Sequence, residues 1–166
     1  MVRLVLAGGW DERLRENVEH YDELRGLVRK AGLETRVELR RNVSEEERRW
    51  LFSCACAVVY TPAFEHFGIV PLEAMAAGRP VIAVGLGGPC ESLVHGQTGW
   101  LCEPTAEAFA DAYEQVIARA SAGTLRKLGE GARKRARLMI APSSRRDHGL
   151  HSLSARLTDD GGHFFA

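Results

Sequence analysis

Short apolar runs alternate along this chain with segments of helical periodicity, and that alternation limits the possible folds more than any other feature. Strands alternating with helices are typical of an α/β fold in which helices cover both faces of a parallel sheet. We predict that the first strand is buried. The predicted strands are Val2 to Ala7, Arg36 to Leu39, Ala55 to Tyr60, Pro80 to Val84 and Gly99 to Cys102.

Helix signals fill the segments between these strands. An apolar stripe from Leu14 to Val28 ends at Gly32, a common helix stop. Ser44 with Glu47 three residues later forms a capping box, which predicts a short helix as far as Phe52. The remaining helices are predicted from about Gly68 to Ala77, near Glu91, and along two apolar stripes at Phe109 to Ala120 and Leu125 to Met139.

Length and composition predict one folded soluble domain over residues 1–140. The chain has 166 residues, of which 45% are hydrophobic, as in ordinary globular proteins. Its 22 basic residues balance 22 acidic ones, so overall charge offers no case for a nucleic-acid partner. From about Ala141 the apolar periodicity ends, and we predict an irregular or disordered tail over 141–166. No apolar run is long enough to span a membrane.

The four cysteines lack metal-site spacing and are interpreted as buried free thiols. Cys54 and Cys56 flank a single residue, and there is no CxxC pair. We therefore predict no metal site.

The loop that ends at Gly68 is the strongest candidate binding segment. It follows a predicted strand and leads into a helix, and ligands of parallel sheets bind beyond the carboxyl ends of strands. Gly68, Ile69 and Val70 would present free amides at the positive end of that helix, which suits a diphosphate. Pro71 agrees, because proline is tolerated in the first helical turn.

Two glutamates flank this helix start, Glu65 before it and Glu73 about one turn inside it. Both carboxylates can reach the same binding cleft at the helix start and accept hydrogen bonds from neighbouring hydroxyls of a sugar. Each glutamate taken alone also fits an ordinary helical acid. A second glycine loop, which contains Gly87 and Gly88, follows the next strand and also opens a helix. A ligand that combines sugar hydroxyls with a diphosphate is a nucleotide sugar, and the sequence therefore predicts a site for one.

These motifs resemble a known enzyme family. The motifs in question are Glu65-His66-Phe67-Gly68-Ile69-Val70-Pro71-Leu72-Glu73, Gly87-Gly88-Pro89-Cys90-Glu91-Ser92, Thr98-Gly99-Trp100-Leu101-Cys102-Glu103-Pro104 and Gly8-Gly9-Trp10-Asp11. They resemble the retaining GT-B glycosyltransferases with an E-x7-E motif, and most of all the eukaryotic alpha-1,3/1,6-mannosyltransferases of dolichol-linked oligosaccharide assembly. The resemblance covers about Val2 to Met139 and implies the C-terminal, Rossmann-like half of a GT-B fold.

The resemblance implies GDP-mannose as donor and a dolichol-linked oligosaccharide as acceptor, with retention of anomeric configuration. Glu65 would then hold the donor hexose, either as a covalent nucleophile or as a stabiliser of an oxocarbenium-like state, with transfer on one face of the donor as the usual alternative. Glu73 would bind the ribose, while His66 and Phe67 would belong to the donor site. Val43, Glu45 and Arg48 would line the nucleobase pocket.

The same resemblance implies an incomplete enzyme. No Asp-x-Asp pair occurs, which fits a GT-B enzyme that requires no metal, so positive groups must offset the leaving-group charge. In the family these groups and the acceptor domain precede the segment represented here. We therefore expect no transfer by this chain alone, membrane contact only through segments outside it, and a location at the cytoplasmic face of the endoplasmic reticulum.

Two other function classes remain open from the sequence. One is an inert module that binds a nucleotide sugar without turning it over, and the other is a different hexosyltransferase or an epimerase of the same architecture. His66 is more simply explained as a hydrogen-bonding loop residue than as a base. The basic run from Arg133 to Arg137 is interpreted as a solvated helix face.

Overall fold

A computed structural model describes residues 2–63, 68–121 and 123–141. These residues form five strands and six helices in alternating order until the last two helices. The strands are β1 Leu4–Gly8, β2 Val37–Arg41, β3 Val58–Tyr60, β4 Val81–Val84 and β5 Gly99–Cys102. The helices are α1 Arg15–Lys30, α2 Glu45–Cys54, α3 Ile69–Ala76, α4 Gly88–Ser92, α5 Ala106–Ser121 and α6 Leu125–Ile140.

The predicted elements are all present, and the α/β class with parallel sheets is confirmed. Their ends differ from the predictions by up to about three residues, as local signals usually allow. The predicted tail lies outside the described residues from position 142 onward. In the part of the chain that is described, no helix has the length and apolar character needed to cross a bilayer.

The capping box at the start of α2 forms as predicted. The Ser44 amide donates to a Glu47 carboxylate oxygen at 2.8 Å, and the Glu47 amide donates to the Ser44 hydroxyl oxygen at 3.1 Å. These bonds satisfy two amides that a helix start otherwise leaves without partners. They also hold the pKa of Glu47 below its usual value, chiefly through the Ser44 amide.

The chain divides into two compact units between Leu51 and Phe52. In the first unit β1 and β2 pair in parallel, with Leu4 opposite Val37. The prediction of a buried first strand is wrong, since Leu6 is 36% exposed and α1 contains no buried residue. The reason is that alternation predicts which side chains share a face but not whether another layer covers that face.

In the second unit β3, β4 and β5 form a parallel sheet with β4 in the centre. Val81 and Ala83 of β4 face a core that includes Leu72 and Met75 of α3 and Ala132 of α6. Alternate residues of the sheet face a second core. That core contains Ile82, Trp100, Cys102, Ala112, Val116 and Leu128. Helices thus cover both faces of this sheet, which fixes the carboxyl ends of β3 and β4 at one edge.

The cysteine prediction is wrong for three of the four thiols. Cys102 is buried, and its pKa is raised by desolvation. The exposed thiols are those of Cys54, Cys56 and Cys90. Apolar neighbours in sequence did not indicate exposure because two of these residues flank a helix end and one lies on an outer turn of α4.

Candidate functional site

The candidate site is built around the N-terminus of α3. Gly68 is the N-cap residue, with φ 58° and ψ 62°, a left-handed conformation that glycine adopts without steric cost. As a glycine, Gly68 supplies no side-chain cap to this end of the helix. Pro71 is buried in the first turn, where its missing N–H costs no helical hydrogen bond. The first amides of α3 and the positive end of its dipole lie at this turn, an arrangement that suits an anionic ligand.

The loop after β4 lies beside this helix start. Its backbone turns at Gly87, with φ 62° and ψ −143°, and α4 begins at Gly88. A Cβ placed on Gly68 would meet Pro89 Cδ at 3.6 Å. Because β3 and β4 are parallel neighbours, their carboxyl ends bring together the two glycine turns that the sequence indicated.

Glu73 lies one turn inside α3 and is partly buried. Side chains on a helix tilt toward its N-terminus, so the Cα–Cβ bond of Glu73 leans toward the Gly68 end of α3. Its neighbours Leu72 and Ala74 are buried in the core, which fixes the face of the helix on which Glu73 lies. The predicted site residues Glu65, His66 and Phe67 lie outside the described residues.

The residues assigned to a nucleobase pocket lie together in the first unit, at the start of α2. Arg48 donates from Nη2 to Glu45 Oε2 at 2.7 Å, and its side chain is 28% exposed while that of Glu45 is 69% exposed. Val43 is partly buried just before the capping box. The ion pair joins Glu45 and Arg48, Val43 is close to them in the chain, and the role of the three residues toward a base stays a prediction.

The basic run on α6 differs from its prediction. Arg133 donates from Nη2 to the Ala77 carbonyl at 3.3 Å, while Arg135 donates from Nε to Ser92 O and from Nη2 to Glu91 O at 2.7 Å. Both side chains are partly buried, so the prediction of a wholly solvated face is wrong for these two residues. No local pattern reveals such contacts, because the acceptors lie more than 40 residues away in the chain.

A metal centre is not formed by the described part of the chain. Within residues 2–63, 68–121 and 123–141 there is no group of three or more His, Cys, Asp or Glu side chains arranged to hold an ion. The groups that the candidate site brings together are two glycine turns, the N-terminus of α3 and the carboxylate of Glu73. Such a set suits a ligand that combines anionic groups with hydroxyls.

Comparison with known proteins identifies the family. Residues 1–135 match the family model described as "Glycosyl transferases group 1". The chain belongs to the group 1 glycosyltransferases. The resemblance to glycosyltransferases noted from the sequence motifs is thereby confirmed, and the match includes residues of both units.

Two curated relatives carry the same printed name, alpha-1,3/1,6-mannosyltransferase. The one from Dictyostelium discoideum is 52% identical over 116 residues, which is 70% of this chain and 28% of that protein. The one from Homo sapiens is 52% identical over 117 residues, again 70% of this chain and 28% of that protein. The chain thus spans under a third of the length of these mannosyltransferase relatives.

A solved glycosyltransferase structure has the same fold. The sucrose-phosphate synthase of Thermosynechococcus elongatus aligns with a TM-score of 0.76 and 33% identity, covering 82% of this chain and 34% of that one. The chain thus aligns with about one third of the sucrose-phosphate synthase chain, a share similar to that of the mannosyltransferase relatives.

Proposed function

We propose that this chain is the donor-binding part of a mannosyltransferase that transfers mannose from GDP-mannose to a dolichol-linked oligosaccharide in N-glycan precursor synthesis. Two relatives that are 52% identical are named alpha-1,3/1,6-mannosyltransferases. The observation that carries the proposal is the meeting of the Gly68 and Gly87 turns beside the N-terminus of α3, whose N-cap residue is a glycine. The reaction takes place at the cytoplasmic face of the endoplasmic reticulum, and the acceptor binds outside this chain.

In the proposed donor complex, the first amides of α3 donate to the diphosphate. The helix dipole adds positive potential where the leaving GDP gains negative charge, which is the charge that a transferase of this kind must stabilise. The exposed Gly87 turn suits a close approach of the donor to the backbone, because glycine itself carries no side chain. We propose that this binding needs no metal.

In the proposed complex the carboxylates of Glu73 and Glu65 contact different sugars of the donor. Glu73 accepts hydrogen bonds from the ribose hydroxyls, since it lies one turn inside the helix whose first amides hold the phosphates. Glu65, which precedes Gly68 in the same motif, contacts the mannose near the reacting carbon. His66 and Phe67 of the same motif contact the donor, and a guanine contact by Val43, Glu45 and Arg48 stays a prediction from the sequence.

Isothermal titration of the chain with GDP, GDP-mannose and UDP-N-acetylglucosamine tests the donor assignment. We expect measurable binding of both guanine nucleotides and markedly weaker binding of the uridine nucleotide. A preference for the UDP-sugar would overturn the mannose assignment, and binding of none of the three would remove the donor site altogether.

The ribose contact is tested by Glu73→Ala. Hydrogen bonds to a charged partner contribute on the order of 1.5–3 kcal/mol each, so GDP affinity should fall about tenfold or more. The matched control is Glu114→Ala, which removes an exposed carboxylate from α5. Equal GDP affinity in the two variants would refute the role given to Glu73.

The proposal also predicts that this polypeptide by itself transfers no mannose to a lipid-linked acceptor. Adding the purified chain to radiolabelled GDP-mannose and acceptor should leave the label in the water-soluble fraction. Transfer of label to the lipid fraction would show that the acceptor site and the charge-stabilising groups are present in these 166 residues.

A further inference from the structure

We infer that Arg133 and Arg135 are positioning residues of the proposed donor site, holding α3 and α4 in the arrangement that places the two glycine turns side by side. The inference rests on the proposed function for its ligand. Its structural basis is a set of contacts made by α6 alone, at the ends of α3 and α4 opposite to the candidate site.

Arg135 stabilises the C-terminal end of α4. That helix has only five residues, and so short a helix has little stability of its own. Its last carbonyls have no partner within the helix, and the guanidinium of Arg135 donates to two of them, Ser92 O and Glu91 O. The planar fork of an arginine fits two adjacent acceptors in a way that the point charge of a lysine does not.

Arg133 performs the same task for α3. Its Nη2 donates to the carbonyl of Ala77, the C-cap residue, and a cation at this end also favours the helix dipole. The guanidinium occupies the space that a side chain on Gly78 would need, since a Cβ there would lie 2.8 Å from Nη2. Gly78 has φ 72° and thereby ends the helix in a left-handed turn.

The backbone of α6 supports both arginines against α3. A Cβ on Gly129 would lie 2.1 Å from the Gly78 carbonyl oxygen, so the two chain segments are in direct contact. Ala132 and Ala136, which follow at helical spacing on α6, are fully buried against the same core. This face of α6 therefore provides a fixed base from which the two side chains reach their acceptors.

The contacts reach the candidate site through the two helices themselves. An α-helix rises 1.5 Å per residue, so the eight residues of α3 place its N-terminus only about 12 Å from the end that Arg133 holds. The distance along α4 is shorter, and Pro89 at its start packs against Gly68. A change in either C-terminal contact consequently alters the relation between the α3 amides and the Gly87 turn.

The basic run contains its own control. Arg137 lies on the same helix and is exposed, so Arg137→Gln removes an equal charge without removing a contact to α3 or α4. Arg135→Lys keeps the charge but not the fork. Comparing these variants with Arg133→Gln and Arg135→Gln separates positioning from long-range attraction of the diphosphate.

The test measures binding of GDP and of guanosine to each variant by isothermal titration. Arg133→Gln and Arg135→Gln should bind GDP about tenfold more weakly, as expected when neighbours in one hydrogen-bonded network are disturbed. Guanosine affinity should stay unchanged in Arg135→Gln, because Arg135 contacts α4 and not the helix that carries Glu73. Arg137→Gln should match the wild type, and Arg135→Lys should recover only part of the loss. Equal weakening by Arg137→Gln, or full recovery with lysine, would show that charge rather than geometry matters.

Amide hydrogen exchange of the unliganded proteins provides a second measurement that needs no ligand. The amides of residues 90–93 should exchange faster in Arg135→Gln than in Arg137→Gln, with unchanged exchange in α5. If the wild type binds no GDP, the proposed function fails, and the exchange result still decides the positioning role. Wild-type GDP affinity and wild-type exchange in Arg135→Gln would overturn the inference.

Discussion

Gly129 provides the sharpest test of the packing between α3 and α6. A Cβ at this position would lie 2.1 Å from the carbonyl oxygen of Gly78, and real Cβ atoms essentially never approach a neighbour closer than 3.0 Å. Gly129→Ala therefore requires a displacement of at least 0.9 Å, the difference between those two distances. The obstacle is backbone, so no side-chain rotation relieves the contact.

The magnitude follows from two opposing effects. Overpacking a well-packed core costs about 1–3 kcal/mol, and a backbone obstacle places Gly129→Ala at the upper end of that range. Replacing glycine by alanine within a helix returns about 1 kcal/mol. We expect a net loss of about 2 kcal/mol, which corresponds to a fall in Tm of roughly 8 °C for a domain of this size.

Gly131→Ala is the matched control, because it makes the same chemical change two residues away on α6. There a Cβ would meet the Gln97 carbonyl oxygen at 3.4 Å, an ordinary contact. This variant should therefore show only the helical gain of about 0.5–1 kcal/mol and a Tm higher by roughly 2–4 °C. The same substitution at two positions of one helix is thus expected to lower Tm at Gly129 and to raise it at Gly131.

Thermal unfolding followed by circular dichroism at 222 nm, together with urea titration, measures both variants. The reasoning is refuted if Gly129→Ala is as stable as the wild type or if the two variants shift Tm in the same direction. Because this contact also supports the helix that carries Arg133, Gly129→Ala should in addition weaken GDP binding in the folded protein.

Three further predictions concern other parts of the molecule. Asn42 has φ 51° and exchanges two 2.8 Å hydrogen bonds with the backbone of Trp10. Replacing it by Ala should lower the free energy of unfolding, measured by urea titration, by about 2 kcal/mol, and replacing it by Gly should lower it less. Equal losses in the two variants would contradict the strain argument. The pKa of Glu47 is lower in the folded protein than in the unfolded chain, where it is near 4.5. The contribution of its capping bonds to stability should therefore be complete above the unfolded pKa and disappear as pH falls through the folded pKa. NMR titration of Glu47 with and without Ser44→Ala would show this. Burial raises the pKa of Cys102, so this thiol should react with Ellman's reagent at pH 8 only after unfolding. The thiols expected to react at once are those of Cys54, Cys56 and Cys90. A fast reaction of all four thiols would rule out the burial of Cys102.

Local signals in the sequence were sufficient for the elements and for part of the site. The capping box of Ser44 and Glu47 involves residues three apart, and the helix stop at Gly32 depends on the conformation of one residue, so both can be inferred without tertiary information. The same is true of Gly68. It follows a strand and precedes a proline in a first helical turn, which is enough to predict an anion-binding helix start.

Burial could not be inferred in the same way. The apolar residues of β1 predicted a buried strand, yet Leu6 is 36% exposed, and three cysteines interpreted as buried are exposed. Periodicity gives the direction of a side chain relative to its own element, whereas burial depends on which other element lies on that side. The predicted roles of Glu65 and of the nucleobase residues stay predictions.

What the sequence alone determined is therefore local and periodic: the order of strands and helices, the α/β class, the motif from Glu65 to Glu73 and the family to which the chain belongs. What only the tertiary structure decided is the pairing of distant groups. It placed Gly68 against Pro89, Gly129 against Gly78, and two arginines of an apparently solvated run on the ends of α3 and α4. The physical reason is that a guanidinium selects its acceptors by distance in space, and a separation of more than 40 residues leaves no periodic trace in the chain.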